Sequence, residues 1–175
     1  MGIILPKTKN YRTFIALLTQ AGGTDVQTQT SGSLFIGKTY EITILNAGDD
    51  FINVGAPSNT IGIKFIATGT TPQNWTNASE LTYNNGAPIA NIKFNSIGNV
   101  WFEFSSDGNY QFKSNSLFTS YGWFIQPVSN ANSGFIVLTD DTANVNFINI
   151  LTRDSTDINI NDCFDRTMFE FRVFN

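Results

Sequence analysis

Phe104-Ser105-Ser106-Asp107-Gly108-Asn109-Tyr110-Gln111-Phe112 sets an Asp-Gly pair between two runs in which aromatic and polar residues alternate. Asp-Gly tolerates the positive φ angles of a tight hairpin turn, and the alternation gives each flanking run one apolar and one polar face. The stretch reads as a β-hairpin, and the same period of two recurs on both sides of it. Upstream, Asn99-Val100-Trp101-Phe102-Glu103-Phe104 sends Val100, Phe102 and Phe104 inward and leaves Trp101 on the opposite face. Thr39-Tyr40-Glu41-Ile42-Thr43-Ile44 groups Tyr40, Ile42 and Ile44 against Glu41 and Thr43. At the C-terminal end, Thr167 to Phe174 alternates Phe169, Phe171 and Val173 with Glu170 and Arg172.

Further strands are expected at Tyr11 to Thr19, Gly62 to Ala67, Ile89 to Asn95, Asn109 to Lys113, Gly122 to Pro127, Gly134 to Thr139 and Val145 to Thr152. Separators rich in Gly and Asn lie between them, at Ala21-Gly22-Gly23, Ala47-Gly48-Asp49-Asp50, Thr68 to Pro72 and Asn84-Asn85-Gly86. Many short strands at this spacing predict an all-β fold, a β-sandwich, jelly roll or small barrel. Helix signals are poor, with one turn allowed near Asn74 to Leu81.

The chain has 175 residues, enough to bury a substantial core. Only 14% of residues are charged against 41% hydrophobic, so the polar surface falls to Asn, Thr, Ser and Gly. A net charge of −4 and sixteen Phe are the composition of a folding chain and not a disordered one. There is no His and one Cys, Cys163, which excludes an internal disulfide, His-dependent triads and the common zinc sites. Cys163 lies between Asp162 and Asp165, whose charges oppose a thiolate, so it reads as a packed residue. An acidic pI of about 4.6 without a basic cluster argues against a nucleic-acid partner. No stretch approaches the ~18 apolar residues that cross a bilayer. Met1 to Pro6 is too short for the apolar core of a signal peptide, so the chain is expected to be made in a cytoplasm or cut from something larger.

Tyr11-Arg12-Thr13-Phe14-Ile15-Ala16-Leu17-Leu18-Thr19-Gln20 resembles the opening strand of small virion proteins from phages of Bacteroidetes and Flavobacterium-type bacteria. Gly86-Ala87-Pro88, Asn95-Ser96-Ile97-Gly98-Asn99-Val100-Trp101, the Gly108-Asn109-Tyr110 turn and the closing Phe169 to Asn175 are similar to later segments of those proteins. Between them, Gly37 to Ile42, Ala47 to Ala56, Ile63 to Pro72 and Trp75 to Leu81 resemble a module of phage fibre and capsid-associated proteins. The resemblance implies a sandwich-like or jelly-roll-like host domain made of residues 1–30 and 84–175, with a small β module inserted at 31–83. It brings no catalytic residue and no cofactor.

Three groups of side chains stand out as candidate sites. Asp154, Asp157 and Asp162 lie in an Asp/Asn-rich stretch whose oxygens could surround Ca²⁺. The stretch lacks the Gly and the bidentate Glu of an EF-hand, and its plainer reading has Ile158 and Ile160 inward with the polar residues in water. Asp49-Asp50 and Asp140-Asp141 are adjacent carboxylates; neighbours on a strand point to opposite faces, so both pairs read as turns rather than catalytic dyads. Trp75, Trp101, Tyr110, Tyr121 and Trp123 are candidates for a subunit interface or a glycan-stacking platform.

The expectation is a non-enzymatic virion structural protein: a capsid-associated spike, head-fibre or vertex component. It would assemble with itself, as a trimer or pentamer, and with other virion proteins, showing polar loops outward. The alternative is a carbohydrate-binding or tail-fibre receptor-binding module that offers its tryptophans to a host surface glycan.

Overall fold

A computed structural model describes residues 10–20, 23–118, 135–139 and 146–174, with the backbone alone at 135–139. In chain order the strands are β1 (Tyr11–Thr19), β2 (Val26–Gln29), β3 (Thr39–Ile44), β4 (Lys64–Ile66), β5 (Glu80–Asn84), β6 (Ile89–Asn95), β7 (Val100–Ser106), β8 (Asn109–Ser114), β9 (Phe135–Thr139), β10 (Phe147–Arg153) and β11 (Thr167–Phe174). One 3₁₀ turn at Ile52–Val54 is the only helical element among the described residues. The protein is all-β. The strands β1, β3, β6 and β11 have the bounds that alternation predicts. The strand expected at Gly122 to Pro127 lies outside the described residues.

All the pairings are antiparallel and make three sheets, ordered β11-β1-β6, β7-β8-β10-β9 and β2-β5-β3-β4. The first two sheets meet face to face as a β-sandwich. Phe14, Ala16 and Leu18 of β1 and Phe169, Phe171 and Val173 of β11 are buried against Phe102, Tyr110, Phe112, Ile148 and Ile150 of the second sheet. Phe112 is the hub, with ring centroids 5.0 Å from Phe14, 4.8 Å from Phe102, 5.1 Å from Phe169 and 5.3 Å from Phe171. A second buried cluster belongs to the third sheet and its loops: Leu34, Tyr40, Ile42, Phe51, Val54, Phe65 and Leu81.

Strand β4 joins the two clusters. Phe65 is buried in the second, its neighbour Ile66 in the first, and Lys64 pairs with Glu103 of β7 at 2.8 Å. The amide of Phe102 donates to the Thr39 hydroxyl, and the Asn99 side chain donates to the Lys64 carbonyl.

Several expectations need correction. Ile44 is 42% exposed, because the register between β3 and β5 shifts after Ile42. Trp101 does point away from Val100 and Phe102, yet it is buried at 6% exposure, since residues on both faces of β7 near its start are covered. Residues 74–81 form no helical turn: Asn74 bridges to Asp50, and Glu80 already belongs to β5. Strand β2 was not foreseen, because Val26-Gln27-Thr28-Gln29 has no apolar face and is held by backbone pairing to β5.

The Asp107-Gly108 hairpin forms as read, but only Gly108 takes a positive φ, 64°, and a register shift follows Phe104. The turn is also clamped. The Gly108 amide donates to Asn161, its carbonyl accepts from the Thr152 amide, and an added Cβ would lie 2.6 Å from both Ile160 N and Thr152 O. Gly62 has a similar φ, 85°, with open space around it.

The two glycines therefore separate backbone strain from close approach. Gly62→Ala carries the φ penalty alone, about 1 kcal/mol. Gly108→Ala adds overpacking against fixed backbone and should cost about 3 kcal/mol in all. Urea unfolding checks this: a much larger drop in midpoint for Gly108→Ala, with the slope unchanged in both variants.

Candidate functional site

A cleft of about 200 Å³ opens where the outward face of the third sheet meets the edge of β7. Glu41, Lys64 and Thr82 come from the third sheet, Glu103 and Phe104 from β7, and Val26, 65% exposed, stands at the rim. Register explains the first wall: Glu41 is opposite both Lys64 and Thr82 across the β3–β4 and β3–β5 ladders. Cross-strand neighbours on one face lie side by side, which brings the lysine and the glutamate together.

Glu103 is the electrostatic centre of this wall. One carboxylate oxygen accepts from Lys64 at 2.8 Å and from the Trp101 indole at 2.9 Å, and the other accepts from Lys113 at 2.9 Å. Burial pushes the Glu103 carboxyl up, but the hydrogen bonds from Lys64, Trp101 and Lys113 outweigh it and hold it below the usual range. Lys64 is pushed down by burial and more strongly up by Glu103 and Glu41, so it stays an ammonium. Glu41 approaches Lys64 at 3.4 Å. A carboxylate held anionic by three donors is a poor general acid, so the group supports binding more readily than proton transfer.

The third sheet's loops are organised by a different carboxylate. Asp49 is 5% exposed and accepts from the amides of Thr76, Asn77 and Ser79. Burial raises its pKa, and the hydrogen bonds from Ser79, Asn77 and Thr76 bring it below the ordinary 3.8. Asparagines complete the job: Asn53 spans to Gln73 and Thr71, Asn59 to Phe51 and Asp50, and Asn77 to Ala47. The reading of Asp49-Asp50 as a turn agrees with this geometry. The Asn-rich loops are cross-links as well as surface. Asp140-Asp141 lies outside the described residues.

The expected aromatic platform does not assemble from the described residues. Trp75 donates its indole N–H to the Ser79 carbonyl at 2.8 Å and meets Phe51 edge-on at 5.3 Å. Trp101 is enclosed as described. Tyr110 has no exposed surface; its hydroxyl lies 2.7 Å from Gln20 Oε1 and 2.9 Å from Asn161 Oδ1, and burial pushes its pKa up to about 12. A ring enclosed on all sides cannot stack on a glycan or a neighbouring subunit. Tyr121 and Trp123 lie outside the described residues.

The acidic segment is built as a turn. Asp154 Oδ1 accepts from the amides of Thr156 and Ile158, Asp157 pairs with Arg153 at 2.6 Å, and the Asp162 amide donates to Gln20. The three carboxylates do not converge, and among the described residues no group of three or more metal-ligating side chains forms. Ile158, expected inward, is 61% exposed, because the segment is a turn and not a strand with a core face. Cys163 is buried at 2% exposure, and burial pushes its thiol up.

A feature missed in the sequence is the outer face of the β11-β1-β6 sheet. Pairing sets Tyr11 beside Phe174, Leu17 beside Met168, and Ile15 between Glu170 and Phe94. Tyr11 and Phe94 are 43% and 52% exposed, and Ile15, Leu17, Met168 and Phe174 are half-buried. Glu170 and Arg172 pair at 2.5 Å on this face, and the guanidinium lies 5.0 Å from the centre of the Tyr11 ring.

Removing the Asp49 carboxylate strands the buried Ser79 amide, at about 1–3 kcal/mol, and frees the part-buried Thr76 and Asn77 amides at less, so Asp49→Ala should lose about 3 kcal/mol. Because its folded pKa lies below 3.8, its contribution is full above that pH and disappears as pH falls through the lower folded value. Thermal melts from pH 6 to pH 2 should show the gap between wild type and Asp49→Ala closing at the acid end; a gap independent of pH would contradict the assignment. Across known proteins, no family model, curated protein or solved structure matches this chain.

Proposed function

We propose that the chain is a non-enzymatic structural protein of a bacteriophage particle, a capsid-associated spike, head-fibre or vertex component that assembles through a sheet face. The observation that carries the reading is the outer face of the β11-β1-β6 sheet. An antiparallel sheet with one solvated face ordinarily shows polar residues there. Here Tyr11, Ile15, Leu17, Phe94, Met168 and Phe174 form an apolar patch around the Glu170–Arg172 ion pair. Contiguous apolar surface of this kind marks a contact with another protein.

A second copy of the chain is the preferred occupant, as a trimer or pentamer, since particle projections share closed symmetry. Exposed Phe35, Ile36, Ile52 and Ile61 in the loops of the third sheet add apolar tips for neighbours in the particle. An inserted module at 31–83, a jelly-roll winding of the remainder and location in the virion belong to the same reading. The two separate buried clusters support the division. The resemblance of the terminal strands and of the Gly86–Trp101 region to phage virion proteins supports the location.

Sedimentation velocity at increasing concentration tests the reading. The wild-type chain should form a discrete trimer or pentamer, and a Tyr11→Ser, Phe94→Ser double variant should sediment as a monomer with nearly unchanged melting temperature. A wild-type chain that remains a monomer and binds no component of a phage particle would overturn the proposal.

A further inference from the structure

We infer that the cleft between β7 and the third sheet binds one uncharged sugar ring. This inference stands apart from the assembly reading, since the cleft and the β11-β1-β6 face use different residues.

The charges of the cleft cancel. Lys64 lies between Glu103 at 2.8 Å and Glu41 at 3.4 Å, and Lys113 matches the second oxygen of Glu103 at 2.9 Å. Glu41, Glu103 and Lys64 line the cleft and Lys113 lies behind the lining, so the four charges sum to zero and no net charge favours an anion or a metal cation. A neutral ligand needs no such charge. Glu103 is already saturated by Lys64, Lys113 and the Trp101 indole. Glu41 is not: among the described residues its one polar side-chain contact is the long one to Lys64, and a carboxylate has room for several donors. A ligand hydroxyl donating to Glu41 would form a charge-assisted hydrogen bond, stronger than a neutral one.

The rest of the wall suits a hydroxyl-rich ring. Thr82 sits across the ladder from Glu41 and carries a hydroxyl that both donates and accepts. On β7 the Phe102 amide points into the junction to reach Thr39, and strand alternation directs the Phe104 amide to the same edge. Val26, Ala87 and Phe104 supply the apolar surface against which the C–H face of a sugar rests. Size limits the occupant. About 200 Å³ is below the ~300–1,000 Å³ of sites for drug-sized ligands, which leaves space for one ring. A peptide added along β7 is excluded, because Thr39 takes the Phe102 position and the third sheet lies across the edge.

The Trp101 indole N–H, bonded to Glu103, is a built-in reporter on the cleft. Titration with D-glucose, D-galactose, D-mannose and N-acetyl-D-glucosamine, each to high millimolar, is followed by ¹H–¹⁵N NMR with the indole signal assigned through Trp101→Phe. The expected result is a saturable shift of that signal with at least one sugar, while the Trp75 indole stays in place. Glu41→Ala should weaken the binding roughly tenfold or more, and Thr82→Val should weaken it several-fold, with unfolding midpoints unchanged. If Glu41→Ala does not fold, Thr82→Val decides alone. No saturable shift with any of the four sugars, or a shift unaltered in the folded variants, would overturn the inference.

Discussion

The packing of aromatic rings around Phe112 is the constraint on which the rest of the molecule depends. Phe14 and the pair Phe169 and Phe171 come from one sheet, Phe102 and Phe112 from the other, and the Phe112 ring lies about 5 Å from each of the first three across the sandwich. With one Cys and no disulfide, cohesion rests on burial, at about 1.5–3 kcal/mol for each large apolar side chain. The hairpin at Asp107-Gly108 puts Phe102 directly opposite Phe112, and β11 lays Phe169 and Phe171 over them. A one-residue slip in any of these strands would turn its rings to the outside. The core therefore specifies register as well as stability.

The remaining organisation follows from where that core stops. Within three residues, β4 passes from an ion pair with Glu103 through the second cluster to the first. This short strand ties the third sheet to the sandwich and leaves the cleft beside it. The third sheet's loops are held by Asp49 and by asparagine side chains bonded to distant backbone, which explains how a chain with so few charges keeps long connections ordered. Buried polar groups of this kind are tolerated because their partners are supplied.

Strands whose side chains alternate were legible because alternation is a local consequence of the pleat. Thus β1, β3, β6 and β11 could be bounded from the residues alone. Strand β2 could not, since a Gln/Thr edge strand is chosen by the partner it pairs with. Trp101 looked available because it lies opposite Phe102; its enclosure depends on what covers the second face of β7, which no local pattern encodes. Ile158 failed for the converse reason: a polar–apolar alternation over a few residues was a turn closed by Asp154.

The sequence by itself determined the all-β class, the positions of most strands, the hairpin at Gly108 and the absence of histidine chemistry, because each is a property of neighbouring residues or of composition. Only the tertiary structure decided which faces meet. It put Trp101 and Tyr110 inside, brought Glu41, Lys64 and Glu103 to one cleft from β3, β4 and β7, and left an apolar face on the β11-β1-β6 sheet. Those outcomes depend on pairings between residues far apart in the chain, 39 positions from Lys64 to Glu103 and 163 from Tyr11 to Phe174, and such contacts leave no trace in any local window.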